Sequence, residues 1–413
     1  MRIAIIGGGI SGMTAAYLLS KDHDIVLFEA NDYIGGHTHT VEVTHDEKNY
    51  AVDTGFIVFN EVTYPNFCAL LKQLGVAYQA STMTFSVKCE RTGLEYSPHS
   101  LGTMFIQKKN LFSPSFYRMM YDILRFKSNF AKLLREEDES TELVPFLKKE
   151  GYSPRFIREF IIPLGSSLWS SDPKDIDSFP LRMFVRFFNN HGFLELMHPI
   201  AWKVIQGGSQ QYVEKLTLPY RAKIRLNVPV KGVTRHDTHV DIALEGKQER
   251  FDHVLIATHS DQALAMLRDP SPAERETLGA IPYRENRALL HTDTRVLPAH
   301  HSIWSSWNYI IPKQKKKAAA LTYDMNILQS ISSPAEFCVS LNLEESVEKA
   351  KIIGSYLYHH PVYPGHTLTT QRRYSEISGV NRTHYCGAYW GYGFHEDGVN
   401  SALAACKYFG KAL

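Results

Sequence analysis

The chain has 413 residues, too many for one ordinary core, so two domains or one large domain with an insertion are expected. Hydrophobic residues make up 44% and charged residues 21%, which excludes extended disorder, and a formal charge of +2 excludes a general affinity for nucleic acid or acidic substrates. Five widely spaced cysteines with no Cys-x-x-Cys pair argue against a disulfide framework and against structural zinc. They fit buried thiols in a reducing compartment, and no metal site is expected.

Residues 2–6 read as a short buried strand. The start resembles a signal peptide, but its apolar run is too short and is broken at Gly7. No stretch reaches the roughly 18 apolar residues of a membrane span. The expected location is cytoplasmic, with peripheral contact at the inner membrane face left open.

Gly7-x-Gly9-x-x-Gly12 follows the first strand and opens a helix over Ser11 to Ser20, and a second buried strand covers 25–28. This is a βαβ beginning. Gly7 allows a tight turn, Gly9 lets the backbone approach a pyrophosphate, and Gly12 lets helix and strand pack closely. The helix N-terminus offers free N–H groups and a positive dipole end. Glu29 stands 17 residues after Gly12 at the end of the second strand. A carboxylate there accepts both ribose hydroxyls of an adenosine and repels a 2′-phosphate, which disfavours NADP. Gly35-Gly36, followed by His37-Thr38, gives a second close approach to a long ligand, with an ordinary turn as the alternative.

Residues 40–60 alternate as strands, and Tyr64 to Leu74 reads as an amphipathic helix ending at Gly75. In 104–135, Phe105, Leu111, Phe112, Phe116, Tyr117, Met119, Met120, Tyr121, Ile123, Leu124, Phe126 and Phe130 interleave with seven basic residues and one acid, Asp122. This stretch reads either as a docking element for anionic lipid that admits an apolar chain, or as a helical lid with a solvated basic face. Residues 153–160 and 181–188 have helical patterns. Strands are expected at Ala222–Leu226, Val228–Val233, Val240–Leu244 and Val254–Ala257, and aromatic-rich strands within 281–325. There, Trp304 and Trp307 either line a pocket or pack in the core. Lys315-Lys316-Lys317 reads as an exposed loop. A helix is expected over 344–358, then a Pro/Tyr-rich link at 361–364, a strand ending at Tyr385–Ala388, and a final helix from about Gly398 to Leu413.

Several motifs together carry a family resemblance: Gly7 to Gly12, Glu29, Gly35-Gly36-His37, Val52 to Asn60, Gly207-Gly208, Ala257-Thr258, Trp307-Asn308-Tyr309, and Gly387 to Gly398. The sequence resembles the FAD-dependent amine oxidase superfamily, which includes phytoene desaturases and protoporphyrinogen oxidases. More narrowly, it is similar to bacterial NAD/FAD-binding oxidoreductases associated with cyclopropane fatty acid synthases.

The resemblance implies an α/β fold. A doubly wound, Rossmann-like FAD-binding domain is assembled from 1–80, 205–262 and 372–413. An inserted α+β substrate domain with a helical lid covers 81–204 and 263–371. FAD, held non-covalently, is the implied cofactor. Its implied neighbours are Gly7, Gly9, Ile10, Ser11, Gly12, Glu29, Ala30, Gly35, Gly36, His37, Thr38, Thr54, Gly55, Phe56, Val230, Ala257, Thr258, Gly387, Gly398 and Val399. Glu29 would hold the ribose, Val230 the adenine, and Gly387, Gly398 and Val399 the ribityl chain and flavin ring. The N-terminus of the last helix would stabilise negative charge on the reduced ring.

Two positions depart from the superfamily pattern. His37 stands where it usually has Arg, and His395 stands where one of its substrate-flanking rings would be. For the lysine that holds a water near the flavin, Lys313 is the sole candidate. Candidate catalytic residues are His395, Tyr392 and Trp390, with Tyr389 beside them. His395 either moves a proton or only hydrogen-bonds its surroundings. The expected activity is hydride transfer from an apolar small-molecule or lipid substrate, such as a modified fatty acyl chain, to flavin. The alternatives are amine oxidation, and a non-redox FAD protein serving as partner of a lipid methyltransferase.

Overall fold

β1 (Arg2–Ile6) lies at the middle of a five-stranded parallel sheet, between β2 (Asp24–Phe28) and the strand His253–Ile256. Ile224–Arg225 extends the sheet beyond β2, and Thr383–Tyr385 extends it on the other side. The central strands are runs of Ile, Val, Leu and Phe buried on both faces, as a parallel sheet covered on each side requires. Helix α1 (Ile10–Leu19) is buried almost all round, pressed between the sheet and the C-terminal helix His395–Cys406. The computed structural model describes residues 1–134, 141–191, 200–313 and 319–413. The lysine run at 315–317 and Arg135 lie outside these.

Strands Gly232–Arg235, Val240–Leu244 and Lys247–Phe251 form an antiparallel sheet beside the parallel one. A second large sheet has seven strands, in the order Ile352–Pro361, Tyr283–His291, Cys338–Leu341, Leu321–Asp324, Trp307–Ile311, Phe85–Cys89, Leu94–Tyr96. All its pairings are antiparallel except that of Trp307–Ile311 with Phe85–Cys89. A helical layer packs on this sheet. It includes Pro114–Ser128, Leu143–Lys149 and Leu181–Asn190, with a π-helical turn at Ile157–Ile161. The largest apolar core lies between helices and sheet and contains Phe116, Phe126, Phe156, Phe184, Val87, Leu321 and Val339. Trp307 belongs to this core.

Several element boundaries differ from expectation. No helix spans 344–358: a short 3-10 turn at Lys349–Lys351 leads into the strand Ile352–Pro361, which pairs along Tyr283–His291. The Glu- and Lys-rich first half favours a helix, but the β-branched and aromatic second half completes a sheet edge, and Pro361 sits at its end, where proline is tolerated. Ile224–Arg225 is shorter than its expected strand. Residues 227–230 are not a strand but run beside Glu29, with Val228 N–H donating to the Glu29 carbonyl at 2.9 Å. The last helix starts at His395, so His395, Glu396 and Asp397 form its first turn. All five cysteines are free thiols.

Candidate cofactor and active site

The first glycine turn is shaped by steric necessity. Gly7 has φ of +103°, and a Cβ there would lie 2.8 Å from the Ala257 carbonyl oxygen. A Cβ on Gly12 would collide with the carbonyl of Gly7, so β1 and α1 approach only without side chains. Gly9 differs: a Cβ there would meet open space. It is the N-cap of α1 and has no side-chain partner. The N–H groups of the first turn of α1 therefore face a cradle at the carboxyl ends of β1 and of His253–Ile256. There the strand order reverses, which is where open α/β sheets bind their ligands.

Glu29 ends β2 beside this cradle. It is 7% exposed, and its Oε2 accepts from Gly8 N–H at 2.7 Å and its Oε1 from Asn31 N–H at 2.9 Å. A carboxylate has about four acceptor sites, so the remainder fit a vicinal diol. Ala30 is exposed next to it. Val230 is half-buried at the end of the segment running beside Glu29. Gly35 N–H donates to the Gly8 carbonyl at 2.9 Å, which locks the second glycine turn onto the first. Gly36 has φ of +60°, and a Cβ there would sit 3.0 Å from Gly9 Cα. Thr258 contacts the first turn from the opposite side, its Cγ2 3.2 Å from where a Gly7 Cβ would be.

Phe56 N–H donates to the His37 carbonyl at 2.7 Å, and a Cβ on Gly55 would collide with that same carbonyl. Residues 37–39 and 54–56 thereby prolong the hairpin Thr40–His45 and Lys48–Asp53 toward the cradle. Asp53 anchors the hairpin. Its buried carboxylate accepts from Thr40 Oγ1 at 2.5 Å, Ser209 N–H at 2.9 Å, Ser209 Oγ at 3.0 Å and Gln329 Nε2 at 3.0 Å. Burial pushes this carboxyl up to about 6, against the pull of those donors. Asp53 thus links the motif at 52–60 with Gly207-Gly208, a role sequence reasoning did not assign. The spacing of the two motifs could not show that they meet.

The C-terminal motif closes the cradle from the other side. Ser11 Oγ donates to the Gly398 carbonyl at 2.9 Å, and a Cβ on Gly398 would lie 2.6 Å from Ile10 Cγ2. The N-termini of α1 and the last helix therefore start side by side. Gly387 N–H donates to Ser401 Oγ at 2.8 Å, and Val399 packs with Ile10, Met13 and Phe56. The two acids of the first turn are internal caps. Asp397 Oδ2 accepts from Phe394 N–H at 2.9 Å, and Glu396 accepts from Asn66 and Phe67 N–H at 3.0 and 2.8 Å, capping the helix Pro65–Leu74. Burial raises both, Asp397 to about 7.

The three catalytic candidates point to different places. The His395 ring stacks on Phe56 with centroids 3.4 Å apart, and its Nε2 lies 3.0 Å from both Thr38 Oγ1 and Tyr212 OH. Burial lowers this imidazole well below its ordinary value, as does nearby His37, so it is neutral at physiological pH. Trp390 packs edge-on against Tyr374, 4.9 Å between centroids, beside Tyr389. Tyr392 lies toward the helix Leu181–Asn190. Its carbonyl accepts from Trp169 Nε1 at 3.1 Å, and its hydroxyl, raised by burial, is hydrogen-bonded by Arg186 with Arg182 one turn away. Phe394 stacks on Phe187 at 4.8 Å. Lys313 is exposed, and its N–H donates to Glu90 Oε2 at the edge of the seven-stranded sheet.

His37 heads a group of imidazoles that sequence reasoning did not gather. Its ring lies 5.2 Å from His360, 6.2 Å from His259 and 5.2 Å from Tyr358. Burial is the main cause that lowers His37 to about 4 and His259 to about 3, with neighbouring imidazoles adding to it. His37 is thus a neutral group beside the cradle. Its Nε2 has no hydrogen-bond partner among the described residues.

The cradle, the Glu29 carboxylate with its unfilled acceptor sites and the paired helix ends fit an adenine dinucleotide. Comparison with known proteins agrees. Residues 10–308 match the family model for flavin-containing amine oxidoreductases. Over 75 residues the chain is 48% identical to flavin-containing amine oxidase A of Canis lupus familiaris, covering 18% of this chain and 14% of that protein. Over 55 residues it is 36% identical to an L-amino acid oxidase of Cerastes cerastes, covering 13% and 10%. The matched stretches are thus a small part of these relatives. Among solved structures, a CLA-producing fatty acid isomerase from P. acnes superposes with a TM-score of 0.72 at 16% identity, over 99% of this chain and 98% of that one. Cyclohexylamine oxidase from Brevibacterium oxydans superposes with a TM-score of 0.68 at 15% identity, over 99% of each chain. These likenesses establish the fold. The chain belongs to the flavin-containing amine oxidoreductase family, whose cofactor is FAD.

Proposed function

We propose that the protein is a FAD-dependent oxidoreductase acting on an apolar substrate with an anionic head, a fatty acyl chain being the class that fits best. One observation carries the choice of substrate. The C-terminal motif meets the substrate domain through a wall of rings, Trp169, Phe187 and Phe394, and the charged groups near Tyr392 are Arg186, Asp397 and Arg182. The carboxylates of that motif, Glu396 and Asp397, are already used as helix caps. Asp397 also faces Tyr392, but it is spent on the Phe394 cap, so the wall and Arg186 favour a carboxylate-tipped hydrocarbon over an ammonium ion. The narrower resemblance to proteins associated with cyclopropane fatty acid synthases supports the same substrate class.

When bound, FAD supplies a ring that accepts a hydride and passes the electrons on. The chain's own groups hold it and the substrate. Glu29 fixes the adenosine end. The first turns of α1 and of the last helix face the diphosphate and the ring with N–H groups. Arg186 and Arg182 orient the substrate head. His395 braces Thr38 and Phe56 and stays neutral, which makes it a positioning residue. Trp390 and Tyr389 lie away from the arginines, on the side of Tyr374. His395→Gln is expected to retain flavin and to leave the pH dependence of turnover between pH 6 and 8 unchanged. A lost limb in that window would show that His395 transfers a proton.

The test is anaerobic reduction of the purified holoprotein. Unsaturated or cyclopropane-modified fatty acids should bleach the flavin, amines should not, and Arg186→Ala should raise the fatty acid concentration needed by roughly tenfold or more, the effect of one charge-assisted hydrogen bond. Bleaching by amines alone would overturn the substrate assignment. A flavin that neither class reduces, in a protein that co-purifies with a lipid methyltransferase, would make FAD a structural group here.

A further inference from the structure

The outer surface of the substrate domain carries an apolar stripe that the proposed chemistry does not use. Among the described residues, fourteen large hydrophobic side chains are exposed, and six of them fall between Leu101 and Leu124. Phe112 is 86% exposed, Leu124 61% and Tyr121 58%. Tyr117, Tyr121 and Leu124 follow i, i+4, i+7 spacing on the helix Pro114–Ser128, so they form one outward stripe. The opposite face of that helix is spent on the core through Phe116, Met119 and Phe126. Tyr117 OH donates to the Leu111 carbonyl at 3.1 Å, which joins the stripe to Leu111 and Phe112.

Among the described residues, the exposed charges beside the stripe are mostly basic. Lys108, Lys109, Arg118 and Lys132 are exposed along the same segment, and Lys148 and Lys149 are exposed on the adjoining helix Leu143–Lys149. That helix abuts the segment where Arg125 Nη2 donates to the Glu150 carbonyl at 2.8 Å and Arg118 Nη2 donates to the Gly151 carbonyl at 3.0 Å. The acid of the stretch, Asp122, is fully buried, where it accepts from Ser153 N–H at 2.9 Å and pairs with Arg118. Glu142 and Glu150, at the two ends of the adjoining helix, are exposed acids. No helix of the described residues is long and apolar enough to cross a membrane.

We propose that this face, with Phe112, Tyr121 and Leu124 as anchors and Lys108 and Lys109 beside them, docks the protein on the surface of an anionic lipid bilayer. The apolar residues enter the boundary between headgroups and acyl chains, while the lysines stay at headgroup level. Aromatic side chains are suited to that boundary, and each lysine near an anionic surface adds attraction that salt removes. The proposal is independent of the substrate, because it rests on a surface and not on the cradle.

The test is sedimentation of the full holoprotein with vesicles. Vesicles containing phosphatidylglycerol should carry the protein down, whereas pure phosphatidylcholine vesicles, or added salt, should reduce binding by about tenfold. The Phe112→Ser, Leu124→Ser double variant should bind the anionic vesicles about tenfold less or weaker still, as loss of two partly inserted side chains requires. Lys108→Glu with Lys109→Glu should lose the preference for anionic lipid. Val380→Ser, at an exposed apolar residue elsewhere, should bind as the unaltered protein does. Flavin content checks that each variant is folded. Failure of the unaltered protein to sediment, or undiminished binding by the double variant, would overturn the proposal. A dimer in solution that the double variant dissociates would also overturn it, showing the stripe to be a contact between copies of the chain.

Discussion

At the scale of single residues, two buried carboxylates do different work. Glu29 has two of its acceptor sites filled by backbone amides, and the others fit a ribose. Glu29→Ala is expected to weaken FAD binding by roughly 10- to 100-fold, the cost of losing charged hydrogen bonds to two hydroxyls, as read by titrating apoprotein with FAD. Asp53 has its sites filled by Thr40, Ser209 and Gln329, so its removal strands buried donors. Asp53→Ala is expected to lower the unfolding free energy by about 2–4 kcal/mol in urea, whether or not flavin is bound. The position of Glu29 was legible in the sequence because the buried strand before it, Ile25 to Phe28, is a short local pattern that ends there. Asp53 stood inside a recognised motif, but its partners lie 13, 156 and 276 residues away, and no local pattern reveals such a knot. His395 was legible as a motif position only. Its neutral state follows from the shell of Phe56, Thr38 and Tyr212 that tertiary packing builds around it.

At the scale of elements, the site depends on how closely two helix starts approach each other. Gly398 permits this contact, and Ser11 and Ser401 both donate to its carbonyl. Gly398→Val is expected to push the last helix off α1 and abolish flavin retention while far-ultraviolet circular dichroism stays near that of the unaltered protein. Retained flavin at full occupancy would show that the contact is dispensable. The β1–α1–β2 unit was legible because turn chemistry, buried strands and a helix agree over a short span. The strand Ile352–Pro361 was not. Its helix-favouring lead-in, Glu344 to Lys351, is local, whereas its ladder to Tyr283–His291 joins residues far apart in sequence. The C-terminal helix was placed three residues late because Gly398 resembles a start signal. The actual cap uses Asp397 to bind back to Phe394 N–H, a capping arrangement set by side-chain geometry.

At the scale of the whole molecule, buried ionisable groups set the response to acid. Among the described residues, ten imidazoles are pushed below their ordinary value chiefly by burial, seven of them far below it: His37, His191, His259, His291, His360, His384 and His395. Each binds a proton in the unfolded chain below about pH 6.5 but not in the native protein until the pH is much lower. Asp53, Asp175, Asp177, Asp324, Asp397 and Glu396 are raised, chiefly by burial, and work the other way, holding protons in the native state that the unfolded chain has released. The imidazoles outnumber them, so the unfolded chain is the better proton acceptor between about pH 4 and 6.5, and stability falls on acidification through that window. The melting temperature should drop steadily from pH 6.5 to pH 4.5. A melting temperature that rises over this range would show that the buried carboxylates dominate.

The Rossmann-like FAD-binding fold with a further α/β part was legible from motif order along the chain. The grouping of Arg182 and Arg186 with Tyr392 was not, because it forms only when the helix Leu181–Asn190 folds against the C-terminal motif. The account depends first on the cradle at Gly9, bounded by Glu29, the second glycine turn and Gly398. Its most direct test is a fluorescence titration of folded apoprotein with FAD, run beside Gly12→Ala, in which the added Cβ would strike the Gly7 carbonyl. The account predicts quenching that saturates at one FAD per chain for the unaltered protein and none for Gly12→Ala. Folded protein that leaves FAD fluorescence unchanged, or equal binding by both proteins, would contradict it.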